Sequence, residues 1–175
     1  MATIIYRRLR AADCDDYRRE RLACLASDPD SFGSTIAEQP AGKLRFEQYI
    51  ETDDDDHFAF GAFADAQLVG IVAFNHETRA KTKHRGEINQ MCVDAAYRGQ
   101  GIGELLLRHI IDAAFTLEGV EQIELGVVSH NTSAIRLYEK LGFRCFGVQP
   151  RYFKTVAGYH DSACFQLMKA DYVTR

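Results

Sequence analysis

The segment Arg98-Gly99-Gln100-Gly101-Ile102-Gly103 could bind a phosphate group. It follows a predicted strand that ends at Val93 and precedes a long predicted helix. The first backbone N–H groups of a helix have no partner within the helix, and the helix dipole favours negative charge there. Because glycine lets the backbone approach an anion closely, the segment predicts a pyrophosphate site with Arg98 at its edge. A tight turn whose glycines serve packing alone is the other interpretation.

Two familiar phosphate-binding loops do not fit this segment. A Walker A loop ends in Gly-Lys-Ser or Gly-Lys-Thr, but here Gly103 is followed by Glu104. A dinucleotide-binding GxGxxG pattern counted from Gly99 and Gly101 also reaches Glu104 where it requires glycine. What remains is the pattern Arg-Gly-Gln-Gly-Ile-Gly directly after a strand.

A second group of residues that could do chemistry follows one strand later. Asn131 is followed seven residues on by Tyr138, and then by Leu141-Gly142-Phe143. Seven residues make two helical turns, so Asn131 and Tyr138 lie on one face of a predicted helix. Asparagine also favours the N-cap position, and a tyrosine at this spacing can be a core residue. The spacing alone leaves these structural roles open.

Together the two motifs resemble the coenzyme A-binding core of the GNAT superfamily of acetyl-CoA-dependent N-acetyltransferases. The loop pattern of that family is Gln/Arg-x-x-Gly-x-Gly/Ala, which Arg98, Gly101 and Gly103 match. The resemblance spans roughly residues 87–146, and the N-terminal third of the chain matches only in the order of its elements. It implies an α/β chain with a single-domain GNAT fold over residues 1–175. Such a fold has a mixed, mostly antiparallel central sheet, helices on both faces, and a splayed pair of strands that holds the coenzyme.

The resemblance also implies which residues bind acetyl-CoA. Backbone groups of Met91, Cys92 and Val93 would pair with the pantetheine arm, and an N–H near Met91 would stabilise oxyanion charge at the thioester carbonyl. Asn131 and Ser133 would contact the pantetheine. The amides that would hold the pyrophosphate are those of Gly99, Gln100, Gly101, Ile102, Gly103 and Glu104.

The resemblance assigns the general acid to Tyr138. In this family a tyrosine at the equivalent position lies near the coenzyme sulfur and protonates the leaving thiolate. A free thiol has a pKa of about 8.5, so it leaves more readily when a proton is supplied.

A base is also needed, because an alkylamine is mostly protonated at pH 7. Some family members carry a glutamate base at the position where Glu87 begins the predicted fourth strand. Strict alternation along this strand would place four residues on one face, namely Glu87, Asn89, Met91 and Val93. A β-bulge, which is frequent in this strand of the family, would change that register.

Other interpretations of this region remain open. Glu87 can equally be an exposed carboxylate near Lys83 and Arg85, and His84 is a second candidate for the base. Cys92 could carry the acetyl group, but buried cysteines near the end of a strand are more often packing residues. No partnered base is visible in the sequence, so direct transfer in a ternary complex is predicted.

The hydrophobic pattern predicts the elements that position these motifs. Strands are predicted over 4–9, 57–64, 68–75, 87–93, 122–128, 143–148 and 162–168. Helices are predicted from an N-cap at Asp13 to about Ala26, over 44–51, from the glycine-rich segment to a cap at Gly119, and over 131–141 with Gly142 as its stop.

Three segments carry further expectations. The first predicted helix should have Leu22, Leu25 and Ala26 on its apolar side. The four aspartates of 53–56 are predicted to form a solvated loop, since they lack the spacing of a calcium-binding loop. The acceptor pocket is expected to come from the N-terminal helices and a loop around 151–160.

Composition and charge limit the class of protein. The 175-residue chain is 46% hydrophobic and 26% charged, as expected of one globular domain. The formal net charge of −4 argues against nucleic acid as the main partner, and no apolar run reaches membrane-spanning length. The five cysteines include no CxxC and no zinc-ligand spacing, so reduced thiols and no metal are predicted. With no secretion signal visible, a cytoplasmic location is predicted.

The predicted function is acetyl transfer from acetyl-CoA to the primary amine of a small molecule, with an amino acid or a polyamine as candidates. The segments 79–84 and 158–161 resemble the branch of the family that contains amino-acid and ribosomal-protein acetyltransferases. Acetylation of protein N-termini or lysines, on a peptide acceptor, is a second hypothesis, and a non-catalytic acetyl-CoA sensor is a third. Tyr138 and Glu87 favour an enzyme because a sensor needs neither. A homodimer is neither predicted nor excluded.

Overall fold

The computed structural model describes residues 3–172, and these are built around a seven-stranded sheet. Its strands are β1 (Ile4–Arg8), β2 (His57–Ala64), β3 (Gln67–His76), β4 (Arg85–Val93), β5 (Gln122–Val128), β6 (Arg144–Thr155) and β7 (Gly158–Met168). Their order across the sheet is β1-β2-β3-β4-β5-β7-β6. Neighbouring strands are antiparallel except for β4 and β5, which are parallel.

Helices cover both faces of this sheet. They are α1 (Cys14–Ser27), α2 (Arg45–Thr52), α3 (Ile102–Thr116) and α4 (Thr132–Lys140). Helices α3 and α4 contribute to one hydrophobic cluster, and α1 and α2 contribute to another. Neighbouring residues of β3 divide between the clusters, Val72 in the first and Ile71 in the second, as alternation along a strand requires. The predicted fold class is therefore confirmed. No helix within residues 3–172 is long and apolar enough to cross a membrane.

The predicted strands and helices are present, and the largest difference lies in the last two strands. β6 and β7 extend to a turn at 156–157, so the predicted loop around 151–160 is a hairpin. β6 is the edge strand and is largely exposed, so it lacks the apolar alternation that marks a strand in a sequence. The cap predicted at Gly119 is also wrong, because α3 ends at Thr116.

The buried face of α1 is more polar than predicted. Leu25 is buried, but Leu22 is half-buried and Ala26 is exposed. The other residues that α1 buries are Tyr17, Glu20, Arg21 and Cys24. The apolar pattern misplaced the face because this helix packs against a strand and a cleft that present polar groups to it.

A β-bulge interrupts β4. Ile71 of β3 pairs with Cys92, and Ala73 pairs with Asn89, so two steps along β3 correspond to three along β4. Gln90, at the bulge, has a φ of 55°. The extra residue confirms the bulge that the resemblance suggested.

The bulge divides the residues of β4 between the two faces of the sheet. Glu87 and Asn89 lie on the same face of the sheet as Cys92, which belongs to the cluster of α1 and α2. Met91 and Val93 pack instead against the cluster of α3 and α4. The prediction that Glu87, Asn89, Met91 and Val93 share one face is wrong, because one extra residue reverses the alternation.

Cys24 of α1 and Cys92 of β4 form a disulfide, with their Cα atoms 6.3 Å apart. The prediction of reduced thiols is wrong for this pair, while Cys14, Cys145 and Cys164 are free. The two bonded cysteines are 68 residues apart in the sequence, and only the packing of α1 against β4 brings them together. The bond joins α1 to β4 beside the bulge.

The acidic run 53–56 joins α2 to β2. Asp53 ends α2 in the left-handed conformation, with a φ of 49°. The Asp54 carboxylate accepts hydrogen bonds from the backbone N–H of His57 at 2.7 Å and from its ring at 2.9 Å. Within residues 3–172 no group of three His, Cys, Asp or Glu side chains could hold a metal ion. The run therefore serves the turn into β2, as a loop.

Reduction of the Cys24–Cys92 bond is expected to lower the free energy of unfolding by about 4 kcal/mol, because the bond closes a long loop in the unfolded chain. Urea unfolding with and without a reductant measures this difference. Cys24→Ala should make the free energy of unfolding independent of the reductant. Cys145→Ala deletes an exposed free thiol, so it should leave that dependence in place. Peptide mapping that finds both cysteines free in the unreduced protein would contradict the bond.

Candidate active site

A cleft opens where β4 and β5 separate. Residues Arg85–Glu87 of β4 pair with Gln122–Glu124 of β5, and the pairing ends there. From Ile88 to Val93 the edge of β4 that faces β5 therefore has backbone groups without a strand partner on that side. The cavity has a volume of about 1090 Å³ and is lined from β4, β5, α3, α4 and the segment between α1 and α2. The predicted splayed strands are thus confirmed.

The glycine-rich segment forms the turn into α3 at one end of the cleft. Gly99 and Gly101 have φ values of 76° and 80°, which residues with side chains rarely adopt. A Cβ at either position would meet no atom within 4 Å, so the backbone here faces open space. The first hydrogen bond of α3 runs from the Leu105 N–H to the Gly101 carbonyl, at 3.2 Å. The backbone N–H groups of 102–104 come before this bond, so they have no carbonyl partner within the helix. This geometry fits a pyrophosphate group.

Arg98 joins this turn to the end of β4. Its Nε donates a hydrogen bond to the carbonyl of Val93 at 2.9 Å, and the residue is exposed. Its positive charge therefore lies at the edge of the turn. Gln100 directs its side chain back to the carbonyl of Ala96, at 3.5 Å. Of the predicted site residues, Gln100 is the one that does not line the cleft within the described part of the chain.

Close packing explains why a glycine stands at position 103. A Cβ on Gly103 would lie 3.1 Å from Cε of Met91. The next residue, Glu104, forms ion pairs with Arg108 at 3.1 Å and with Lys140 of α4 at 2.5 Å. Hydrogen bonds from Lys140 and Arg108 lower the pKa of the Glu104 carboxyl. The carboxylate therefore stays ionised, and two cations pair with it beside the glycine-rich turn.

Asn131 is the N-cap of α4. Its Oδ1 accepts hydrogen bonds from the backbone N–H of Ala134 at 3.2 Å and from the Ser133 hydroxyl at 3.0 Å. Its Nδ2 donates to Oγ of Ser31 at 3.3 Å, which links α4 to the segment after α1. The capping role is confirmed, and the contacts of Asn131 and Ser133 with pantetheine stay a prediction.

Tyr138 is both a core residue and part of the cleft wall. Its ring lies 5.9 Å from that of Phe143 and 6.4 Å from that of Phe165, and the residue is 7% exposed. Burial raises the pKa of its hydroxyl to about 12. The hydroxyl is therefore protonated throughout the neutral range and can act as a donor. Its role as the general acid stays a prediction.

Glu87 lies where β4 and β5 separate, in register with Glu124. Partial loss of its water shell raises the pKa of its carboxyl, Glu77 adds to the increase, and Arg45 opposes it. Arg85 forms its ion pair with Glu124. Although Glu87 is exposed to the solvent in the cleft, its environment makes it a stronger proton acceptor than an ordinary glutamate.

Two alternative candidates do not fit the roles that the sequence left open for them. His84 is absent from its lining, and the backbone carbonyl of His84 instead accepts hydrogen bonds from the amides of 121 and 122. Cys92 lines the cleft, but its sulfur is bonded to Cys24. The disulfide leaves no thiolate to carry an acetyl group, so the geometry supports direct transfer.

The sequence predicted that the N-terminal helices contribute to the acceptor pocket, but it did not identify which of their residues line the cleft. The wall opposite the coenzyme residues includes Arg21 of α1, the segment 28–34 and Arg45 of α2. Arg21 is only 6% exposed, and Asn89 in β4 has a buried Oδ1 with no hydrogen-bond partner among the described residues. No motif marks these residues, and a charged residue on the buried face of a helix is recognisable only once that face is known.

Comparison with known proteins identifies the class of protein that has this fold and cleft. The family model described as "Acetyltransferase (GNAT) family" matches residues 16–143. The L-amino acid N-acetyltransferase AaaT of Escherichia coli (strain K12) is 24% identical over 155 residues, which is 88% of this chain and 93% of that protein.

Solved structures show the same fold. The acetyltransferase of GNAT family from Streptococcus pneumoniae has a TM-score of 0.82 and 21% sequence identity, over 95% of this chain and 99% of that chain. The structure of yncA from Salmonella typhimurium with its cofactor acetyl-CoA has a TM-score of 0.72 and 21% identity, over 94% of this chain and 93% of that chain.

The chain belongs to the Acetyltransferase (GNAT) family. The predictions of the family, of an acyltransferase and of acetyl-CoA as its co-substrate are confirmed. The glycine-rich turn, the splayed strands β4 and β5, and α4 all lie within the matched residues 16–143.

Gly101→Ala is expected to weaken acetyl-CoA binding about tenfold, because a side chain in the left-handed conformation costs about 1–2 kcal/mol. Isothermal titration calorimetry with acetyl-CoA measures the Kd. Gly42→Ala is the matched control, since Gly42 is also a loop glycine with no atom within 4 Å of its Cβ position, but its φ is not left-handed. An unchanged Kd for Gly101→Ala would show that binding does not require this turn conformation.

Proposed function

We propose that this enzyme transfers the acetyl group directly from acetyl-CoA to the primary amine of a small molecule, in a ternary complex. The observation that carries the proposal is that the segment 28–34, here named the cover, lines the cleft and contacts both α4 and β6. A small amine fits a covered pocket, whereas a peptide acceptor needs an open groove.

Contacts of the cover with α4 and β6 support a closed pocket. The cover follows α1 directly, and its Ser31 hydroxyl accepts a hydrogen bond from Nδ2 of Asn131 at 3.3 Å. A Cβ on Gly33 would lie 3.4 Å from the ring of Phe153 in β6. The cover therefore extends from α1 to α4 and β6, across the opening between the splayed strands.

The other half of the cleft supports the binding of acetyl-CoA. The amides of 99–104 hold the pyrophosphate, and the unpaired edge of β4 at 91–93 pairs with the amides of the pantetheine arm. Asn131 and Ser133 line the cleft at the start of α4, and there they would contact this arm. The N–H of Met91, next to the bulge, faces the thioester carbonyl and stabilises the negative charge that develops on its oxygen.

Glu87 and Tyr138 supply the proton chemistry. Glu87 removes the proton of the attacking amine, directly or through a water molecule, and its raised pKa suits this role. The Tyr138 hydroxyl donates a hydrogen bond to the leaving sulfur. Complete proton transfer from a tyrosine of pKa about 12 costs free energy, because the thiol, with a pKa of about 8.5, is the stronger acid. Tyr138 therefore acts mainly by stabilising charge as the sulfur leaves.

We also propose a cytoplasmic location. The free thiols of Cys14, Cys145 and Cys164 support it, because reducing compartments keep cysteines unbonded. The Cys24–Cys92 disulfide weighs against it, because such bonds are rare in reducing compartments.

The release of coenzyme A thiol from acetyl-CoA tests the function, across a panel of amino acids, polyamines, aminoglycosides and peptides. Release with a small amine, at a rate above that with peptides, is the expected result. Release with peptides alone would support a protein acetyltransferase instead. Tight acetyl-CoA binding without release for any amine would contradict the proposal and favour a sensor.

Tyr138→Phe is expected to lower kcat by about 10²- to 10³-fold and to leave the Kd for acetyl-CoA nearly unchanged, because the hydrogen-bond donor that stabilises the leaving sulfur is lost. Steady-state kinetics and calorimetry measure the two quantities separately. Tyr97→Phe is the control, since Tyr97 also lines the cleft but lies outside α4. An unchanged kcat for Tyr138→Phe would remove Tyr138 from the mechanism.

Glu87→Gln is expected to lower kcat/KM most strongly at neutral and higher pH. The raised pKa means that the Glu87 carboxylate forms only above the ordinary glutamate value of 4.5, so its contribution is lost as the pH falls through the raised value. The ratio of kcat/KM for the unmodified enzyme to kcat/KM for Glu87→Gln cancels the effect of the ionisation of the amine. This ratio should fall as the pH is lowered. Glu77→Gln should move this fall to lower pH, because Glu77 raises the pKa of Glu87. A ratio independent of pH would exclude Glu87 as the base.

A further inference from the structure

Arg21 is a buried cation without an anionic partner. It is 6% exposed, and none of the ion pairs among residues 3–172 includes it. Its Nη2 donates to Oγ of Ser34 at 3.0 Å, and its guanidinium lies 4.8 Å from the centre of the Phe32 ring. Its Nη1 is buried without a hydrogen-bond partner in the described part of the chain. Arginine is rarely buried unless it is paired, so this site is built for an anion from outside the chain.

Two links between α1 and β4 place Arg21 next to the reaction centre. The hydroxyl of Tyr17 donates to Oε1 of Gln90 at 2.5 Å, and Cys24 is bonded to Cys92. These links fall on the two sides of Met91 in β4. Arg21 lies four residues after Tyr17 and three before Cys24, which places all three on one face of α1. The guanidinium therefore lies in the wall that faces the Met91 region.

A second unpaired group of opposite polarity lies in the same cleft. The side-chain Oδ1 of Asn89 is buried and has no hydrogen-bond partner among the described residues. Asn89 lines the cleft, lies just before the bulge and shares the face of the sheet that α1 covers. An amide oxygen accepts hydrogen bonds, so it suits an amine, whereas the Arg21 guanidinium suits a carboxylate.

The phosphates of the coenzyme do not account for the charge of Arg21. The glycine-rich turn packs on the other face of β4, where Gly103 approaches the side chain of Met91. Arg21 lies on the face that α1 covers. A polyamine is also a poor occupant, because a buried and unpaired guanidinium repels a cation.

We propose that Arg21 binds the carboxylate of the acceptor while the Asn89 side chain accepts a hydrogen bond from its amino group, so that the acceptor is an amine that also carries a carboxylate, such as a free amino acid. This inference rests on the proposed function, since it names the class of small amine that enters the covered pocket. Arginine can bind a carboxylate through two parallel hydrogen bonds, which fixes the orientation of the acceptor as well as its affinity.

Matched sets of acceptors test the proposal with the unmodified enzyme. One such set is leucine, leucinamide and isopentylamine, which share a side chain and an amine but differ in the carboxylate. Corresponding sets are built for the other amino acids of the panel. For the preferred side chain, kcat/KM is expected to be about 100-fold higher for the amino acid than for its amide or its decarboxylated amine, because each analogue leaves the buried guanidinium unpaired.

Arg21→Met tests the residue itself. It should lower kcat/KM for the amino acid about 100-fold, mainly through KM, and change the values for the amide and the amine only a few-fold. The Kd for acetyl-CoA should stay the same. Arg21→Lys should be intermediate, because lysine keeps the charge without the two-pronged geometry. Arg19→Met is the matched control, since Arg19 lies on the exposed side of α1 and pairs with Asp16.

The outcomes separate this inference from the proposed function. If an amine is acetylated but the amino acid, amide and decarboxylated amine of each set react alike, the carboxylate proposal is wrong and the transferase stands. If Arg21→Met lowers all three equally, Arg21 is structural and the proposal is again wrong. If no small amine is acetylated at all, the proposed function fails and this inference fails with it. Should Arg21→Met not fold, the comparison within each matched set decides.

Discussion

The pairing of β4 with β5 ends after Glu87, and the cleft depends on the unpaired backbone edge that remains. Backbone N–H and C=O groups need hydrogen-bond partners, so an unpaired edge inside a cleft favours an extended ligand that carries amides of its own. The bulge at Gln90 then directs neighbouring residues of one strand to opposite faces. Met91 and Val93 lie towards α3, where the glycine-rich turn is, and Glu87 and Asn89 lie towards α1. One extra residue thereby separates the side of the strand that we propose for the coenzyme from the side that we propose for the acceptor.

The acceptor side explains why α1 departs from the usual amphipathic pattern. A helix that packs on a closed sheet buries apolar residues, but α1 also lines a cleft. Its buried face therefore carries a hydrogen bond from Tyr17 to Gln90, a disulfide from Cys24 to Cys92, and the unpaired guanidinium of Arg21. The first two hold the helix against the strand, so the third is held at a defined place. Fixing a charged group before the ligand arrives reduces the entropy that binding must overcome.

Much of the fold and the coenzyme half of the site could be predicted because both depend on local sequence. The left-handed dihedral angles of the turn require glycine at 99 and 101, and the first turn of α4 requires an N-cap, which Asn131 provides. The hairpin of β6 and β7 was missed around 151–160 because an exposed edge strand carries no apolar alternation. The face of β4 was misjudged because a bulge is a property of pairing between strands, which a period-two pattern cannot contain.

The sequence by itself determined the family and the co-substrate, and it located the glycine-rich turn and α4, because each is specified by residues close together in the chain. The tertiary structure alone brought together the residues that we propose for the acceptor half. Asn89 is far in sequence from Arg21 and from the cover 28–34, and these residues come together only when α1 packs beside β4. The Cys24–Cys92 bond has the same origin, since contact between distant residues depends on packing and not on spacing. Burial is what distinguishes Arg21, because the same residue on an exposed helix face would be an ordinary surface charge.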